Sequence, residues 1–123
     1  MIEEFMQKLD RFSKFKKGWN SYNAEPPNNW SIMTAKHFIV ICNANNIHFD
    51  HIGPSALGGI GITKDNLNEI FVEIYNDTKA ILAEIENEEI LKLHNFKDES
   101  SKTVAQQLFG KLKQLLKPEV TNV

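Results

Sequence analysis

Residues 68–86 have the sequence NEIFVEIYNDTKAILAEIE, in which two runs of alternating side chains flank Asn76-Asp77-Thr78. Branched and aromatic residues favour strands, whereas Asn, Asp and Thr favour turns because their side chains satisfy nearby backbone groups. The pattern predicts two antiparallel strands, 68–75 and 79–86, joined by a short turn. The preceding segment Gly59-Ile60-Gly61-Ile62-Thr63 predicts another strand, which makes the three strands an antiparallel meander.

Side chains along a strand alternate between the two faces of a sheet. We expect an aliphatic face, directed at helices, that contains Ile70, Val72, Ile74, Ile81, Ala83 and Ile85. The outer face is then predicted to bind a partner through Phe71, Glu73, Tyr75, Leu82, Glu84 and Glu86. Such a face is both acidic and partly apolar, so buried apolar anchors would bind the partner while the carboxylates steer towards a basic surface.

Helical periodicity is present on both sides of the meander. A first helix is predicted to end near Gly18, and a second to begin at Ser31 as its cap and to break at residues 43–46. A last helix is predicted to be capped by Ser100 or Ser101, and residues 88–96 favour a fourth strand over a helical turn. The expected fold is one α+β domain, 1–123, in which an antiparallel three- to four-stranded meander packs against two N-terminal helices and one C-terminal helix.

Composition limits the classes of function. A chain of 123 residues that is 41% apolar can bury its own core, and a formal net charge of −2 argues against general nucleic-acid binding. The sequence has no signal peptide and no apolar run of the roughly 20 residues that span a bilayer, so we expect a cytoplasmic protein without membrane contact. The single cysteine, Cys42, lies in an apolar run and is predicted to be a buried thiol.

The loop between the first two helices contains the sequence GWNSYNAEPP, residues 18–27. Tandem proline holds the backbone near the polyproline conformation and biases Glu25 away from the helical region. Trp19 and Tyr22 are interpreted as anchors of this loop, and the alternative is an exposed aromatic patch that recognises a partner.

The pattern Trp-x-x-Tyr-x-Ala-x-Pro at residues 19–26, followed by Pro54-Ser55 and Gly58-Gly59-Ile60, resembles a family of small uncharacterised bacterial and mobile-element proteins. The resemblance covers about residues 15–85. Such proteins often have aspartate at the position of Asn20 and glycine at that of Asn23. The resemblance implies a shared fold unit and a bacterial or mobile-element setting, but no reaction. The richness in Lys, Ile and Asn, with a single arginine, also suggests the AT-rich coding of low-GC bacteria, their phages and plasmids.

Histidines provide the first candidate for chemistry. His48 and His51 flank Phe49-Asp50 and, with His37 or His94, would supply nitrogen ligands for a metal. In an extended segment His48 and His51 point to opposite sides, and no cysteine pair completes the set, so structural or surface histidines are favoured and no metal or cofactor is predicted. Ser55 lies near Asp50 and His51 in sequence, but adjacency is not the geometry of a catalytic triad.

Glycines provide the second candidate. The spacing Gly58-Gly59-x-Gly61 would let the backbone approach a phosphate, but no helix follows to supply aligned N–H groups, and a turn at a strand entry is favoured. The candidate ligand-binding residues are Trp19, Tyr22, Gly58, Gly59, His48 and His51.

Three hypotheses follow. The leading one is a non-enzymatic intracellular protein that inhibits or sequesters a protein partner, such as a phage or mobile-element inhibitor of a bacterial defence component or toxin. The first alternative is a small-ligand or nucleotide-binding protein, or weak hydrolase, that uses the aromatic loop and Gly58-Gly59. The second is a homodimeric structural module that associates through the same sheet face.

Overall fold

The computed structural model describes residues 2–19, 24–64 and 69–116. The elements in chain order are α1 (Ile2–Phe12), α2 (Asn29–Ala44), β1 (His51–Pro54), β2 (Gly59–Lys64), β3 (Glu69–Tyr75), β4 (Lys79–Glu86), β5 (Glu89–Lys97) and α3 (Ser101–Leu116). The five strands form one antiparallel sheet in sequential order. The α+β class is therefore confirmed, whereas the predicted count of three to four strands is wrong.

The additional strand is β1, at one edge of the sheet. It pairs with β2 over four residues, from His51 opposite Thr63 to Pro54 opposite Ile60. Gly53 and Pro54 count against a strand in sequence because glycine adds no packing and proline donates no ladder hydrogen bond. An edge strand tolerates both, since one side of its backbone has no neighbouring strand to bond. Strand β5, predicted at residues 88–96, forms the opposite edge.

The β3–β4 hairpin determines which side chains share a face. Residues 76–78 form a three-residue connection, and Thr78 at its end has φ 73°. A three-residue loop that ends in the left-handed region is a common hairpin closure, and the loop fixes the register of the two strands. Here it places even-numbered residues opposite even-numbered ones: Ile70 with Glu84, Val72 with Leu82, and Ile74 with Ala80.

This register corrects the predicted faces. Leu82 and Glu84 lie on the same face as Ile70, Val72 and Ile74, because directly paired residues of an antiparallel ladder point the same way. Ile81 and Ala83 instead share a face with Glu73 and Phe71. The prediction that placed Ile81, Ala83 and Ile85 on the helix side, and Leu82 and Glu84 on the outer side, is wrong. The alternation within each strand was predicted correctly, but the faces of β4 were matched to the wrong faces of β3 across the turn.

The three helices pack on the even-numbered face of the sheet. Their apolar side chains form one continuous cluster with those of the strands, including fully buried Phe38, Ile62, Val72, Leu82 and Leu108. Cys42 lies in this cluster, and its burial raises the pKa of the thiol to about 12, against a smaller opposing effect of the Lys64 charge. The buried thiol is as predicted.

Helix α2 begins earlier than predicted, and its start is tied to the β3–β4 turn. Asn28, not Ser31, is the N-cap, and its side chain accepts a hydrogen bond from the Ser31 amide at 2.9 Å. Ser31 is buried in the first turn, where its hydroxyl donates to Asn76 Oδ1 at 2.9 Å. Asn76 also accepts from the Asn28 amide at 2.8 Å and donates to the Pro26 carbonyl at 2.9 Å. One side chain thus fixes the proline loop, α2 and the hairpin relative to each other.

The other helix boundaries follow from local capping. Helix α1 ends at Phe12, earlier than the predicted end near Gly18, and turns occupy most of the segment from Ser13 to Trp19. Ser100 accepts from the Thr103 amide at 3.2 Å, which agrees with its predicted capping of the last helix. No helix within the described ranges is long and apolar enough to cross a membrane.

Candidate functional site: the open face of the sheet

The face of the sheet opposite the helices carries no helix from the described part of the chain. We call it the open face, and define it by the residues that the strand registers place there: His51, Gly53, Gly59, Gly61, Thr63, Glu69, Phe71, Glu73, Tyr75, Lys79, Ile81, Ala83, Ile85, Ile90, Leu93, Asn95 and Lys97. Most of these side chains retain solvent contact, whereas the apolar residues of β2, β3 and β4 on the helix face are buried.

The centre of the open face is apolar. One row across the strands pairs Thr63 with Phe71, Phe71 with Ala83 and Ala83 with Leu93. Ala83 is 1% exposed because its larger neighbours enclose it, while Leu93 is 47% exposed. Ile85 and Ile90 form the next apolar pair, beside a register shift between β4 and β5. Contiguous apolar side chains on an otherwise polar surface are a recurrent feature of interaction sites.

A nearly buried carboxylate lies beside this apolar centre. Glu73 is only 9% exposed, although its position on the strand faces away from the helices. Ser55, in the β1–β2 turn, donates a hydrogen bond to Glu73 Oε2, and the Tyr75 hydroxyl donates to Oε1 at 2.8 Å. Hydrogen bonds of this kind offset part of the cost of removing a carboxylate from water. They also hold the carboxylate in one orientation.

The carboxylate of Glu73 contributes to a shift in the pKa of the Tyr75 hydroxyl. Its pKa is raised to about 12, first by partial burial, then by the hydrogen bond it donates to Glu73 and by the negative charges of Glu73 and Asp77. The phenol therefore stays protonated at neutral pH and remains a hydrogen-bond donor to the carboxylate.

A groove of about 400 Å³ opens next to Glu73. Its lining residues come from β1, β2, β3 and the β1–β2 turn, and include His51, Gly53, Ser55, Phe71 and Glu73. Two glycines shape it. A Cβ atom added to Gly61 would lie 3.3 Å from Phe71 Cε1, so the missing side chain lets the ring lie against the strand; one added to Gly53 would enter space with no atom within 4 Å.

The predicted partner-binding residues divide between the two faces. Phe71, Glu73 and Tyr75 lie on the open face, as expected. Leu82 is fully buried under the helices, and Glu84 on the same face bonds to His94 Nε2 at 2.9 Å. Glu86 is exposed at the end of β4, where it pairs with Glu89. Glu73, Glu84 and Glu86 therefore do not form a row along the outer face of the sheet.

The aromatic loop makes contacts within the fold in the part that the structure describes. The rings of Trp19 and Phe15 stack with centroids 5.6 Å apart, and the Gly18 amide donates to the Ala24 carbonyl at 2.9 Å. Trp30 likewise donates from its indole N–H to the Glu99 carbonyl at 2.8 Å, which joins α2 to the segment before α3. The predicted ligand-binding residue Tyr22 lies outside the described residues.

The glycine pair has a backbone role. Gly58 has φ 88° and Gly59 has φ 134°, and a Cβ on Gly59 would lie 1.9 Å from the Ile74 carbonyl oxygen. Only glycine fits this close approach between strands. The geometry agrees with the turn and strand entry favoured from sequence. The nearest side chains around Gly58 belong to Asn76 and Glu25.

The candidate histidines have separate surroundings. His51 lines the groove beside Glu73, whereas His48 lines a small cavity with residues of α1 and α2, and its carbonyl accepts from Lys64 Nζ at 2.7 Å. Within the described ranges, no three His, Cys, Asp or Glu side chains are grouped as metal ligands. Ser55 donates to Glu73, a hydrogen bond that sequence spacing gave no reason to expect.

Comparison with known proteins adds no further constraint: no family model, curated protein or solved structure matches the chain.

Proposed function

We propose that this protein is a non-enzymatic binding protein that takes a protein partner onto its open face and thereby inhibits or sequesters that partner. The observation that supports this is a five-stranded face with an apolar centre and an oriented carboxylate, which the helices of the described chain leave accessible. Apolar residues at the centre of an interface supply most of the binding free energy, and surrounding polar groups supply specificity.

The partner surface that suits this face is basic. Glu69, Glu86, Glu88 and Glu89 are exposed at one end of the sheet, and Glu73 lies beside the apolar centre. An acidic end would accelerate encounter with a basic partner and orient it, while the apolar centre would be buried on docking.

We assign the partner to the bacterial cytoplasm, as a defence component or toxin that a phage or mobile element must neutralise. The support is the Lys-, Ile- and Asn-rich composition of the chain and the resemblance of residues 15–85 to small uncharacterised bacterial and mobile-element proteins.

Affinity capture from lysate of the native host, with matched surface variants, tests the proposal. Leu93 on the open face and Val40 on α2 are both apolar and similarly exposed, at 47% and 50%. Leu93→Arg should abolish capture of a stoichiometric protein because it places a bulky positive charge in the apolar row of the open face, and Val40→Arg should retain it. Equal capture by both variants would refute binding through this face.

The homodimer hypothesis is separated by sedimentation at several concentrations: a concentration-dependent doubling of mass that Leu93→Arg removes would identify a second copy as the occupant. The small-ligand hypothesis predicts ligand-dependent thermal stabilisation that substitution of Trp19 or His51 removes.

A further inference from the structure

The groove beside Glu73 has features that the apolar centre alone does not require. The carboxylate accepts hydrogen bonds from two neutral donors, Ser55 and Tyr75, one on each oxygen. A carboxylate offers about four acceptor positions, so about half of its capacity remains. None of the ion pairs between described residues includes Glu73, whose two side-chain hydrogen-bond donors are both neutral.

The surroundings of the carboxylate select the chemistry of a ligand. Phe71 and Tyr75 precede and follow Glu73 on the same face of β3, so an aromatic residue lies on each side of it. Gly53 leaves open space beside the carboxylate, and Gly61 lets the Phe71 ring lie against β2. A cation that also has a flat apolar surface matches such a site, because it bonds to the carboxylate while its plane contacts an aromatic ring.

We propose that the Glu73 groove binds the guanidinium group of an arginine side chain of the protein partner. Guanidinium is planar, stacks on aromatic rings and donates in a fork that suits carboxylate oxygens, whereas a lysine ammonium is a strongly hydrated point charge. The inference rests on the proposed function, since it names the contact by which a basic partner would be recognised.

The test uses N-acetyl-argininamide as the probe and the amide chemical shifts of the isotope-labelled full chain as the readout. At a pH above about 7.5, where an ordinary histidine is neutral, the probe should produce saturable shifts at Gly53, Gly61 and Glu73. The affinity should lie in the millimolar range expected for a single side chain. The capped citrulline analogue, which has nearly the same shape without the charge, should give no saturable shift at these residues, and the lysine analogue should bind at least about fivefold more weakly.

Two variants assign the binding to this groove. Glu73→Gln keeps the shape but removes the charge, and should weaken arginine binding about tenfold or more, as expected for loss of a hydrogen bond to a charged group. Gly53→Val fills the open space above β1 and should abolish binding while the fold is retained, since valine suits a strand. Gly110→Val, at an exposed position of α3 with no atom within 4 Å of the added Cβ, is the control and should bind normally.

Absence of saturable arginine shifts, equal shifts with citrulline or lysine, or unchanged binding by Glu73→Gln would each overturn the assignment. Failure here is distinct from failure of the proposed function. If arginine does not bind but Leu93→Arg still abolishes partner capture, the open face binds its partner without this contact. If arginine binds but Leu93→Arg captures the partner as well as the wild type does, the proposed function fails.

Discussion

The two faces of the sheet are built from the same alternating strands, yet they differ in what covers them. The helix face is largely aliphatic and buried, with Val72 and Leu82 fully buried. The open face combines Phe71 and Leu93 with a carboxylate held by two hydroxyl groups. The difference shows where packing stabilises the fold: the helix face holds the core, whereas no helix of the described chain covers the open face.

The largest expected effect is a difference in stability between matched leucines on the two faces. Leu82→Ala should lower the free energy of unfolding by about 2–5 kcal/mol because it leaves a cavity in a closed core. Leu93→Ala removes a side chain that is 47% exposed and should cost less than about 1 kcal/mol. Chemical denaturation measures both. Similar losses for the two variants would mean that the faces are not distinct in packing.

A smaller loss of stability is expected from substitution of Asn76, whose side chain bonds α2 to the β3–β4 hairpin and so helps to hold the helices on one face. Asn76→Ala removes three side-chain hydrogen bonds, to Pro26, Asn28 and Ser31, and should cost about 2 kcal/mol. Asn29→Ala, at an exposed position in the first turn of α2, should cost less than about 0.5 kcal/mol. Equal thermal stability of the two variants would show that this connection does not hold the helix layer.

The smallest effect concerns pH and the open-face residue Tyr75. Because the pKa of Tyr75 is raised from 10 to about 12, its contribution to stability is fully present below pH 10 and is lost as the pH rises towards 12. The Tyr75→Phe variant should therefore lose less stability than the wild type as the pH rises from 10 to 12.

The cause of this shift is testable in a Tyr22→Phe background, which leaves Tyr75 as the only tyrosine. Tyrosinate absorbance should show that Glu73→Gln lowers the pKa of Tyr75, because it removes a charge that opposes ionisation. An unchanged titration would contradict the coupling between Glu73 and Tyr75.

The sequence predicts the elements of the fold well because each has a local signal. Alternation predicted β3 and β4, and helical periodicity predicted the three helices. Strand β1 was missed because Gly53 and Pro54 oppose a strand unless it lies at an edge. The faces of β4 were assigned the wrong way round because their phase depends on the backbone of a three-residue loop, where Thr78 adopts φ 73°.

The site was predictable only in part. Alternation alone grouped Phe71, Glu73 and Tyr75, and it did so correctly. It did not indicate that Ser55, 18 residues before Glu73, would donate to that carboxylate, because the contact needs β1 and β2 to bring the turn beside β3. A polar residue within a strongly apolar strand, such as Glu73, was the available signal.

Side-chain oxidation by hydroxyl radicals, with and without the captured partner, tests the central claim most directly. The probes are Ile90 and Leu93 on the open face and Met33 and Val40 on α2, all exposed in the free protein. Binding through the open face predicts that the partner protects Ile90 and Leu93 while Met33 and Val40 keep their oxidation rates. Protection of Met33 and Val40 with unchanged oxidation of Ile90 and Leu93 would contradict it and assign recognition to the helix layer.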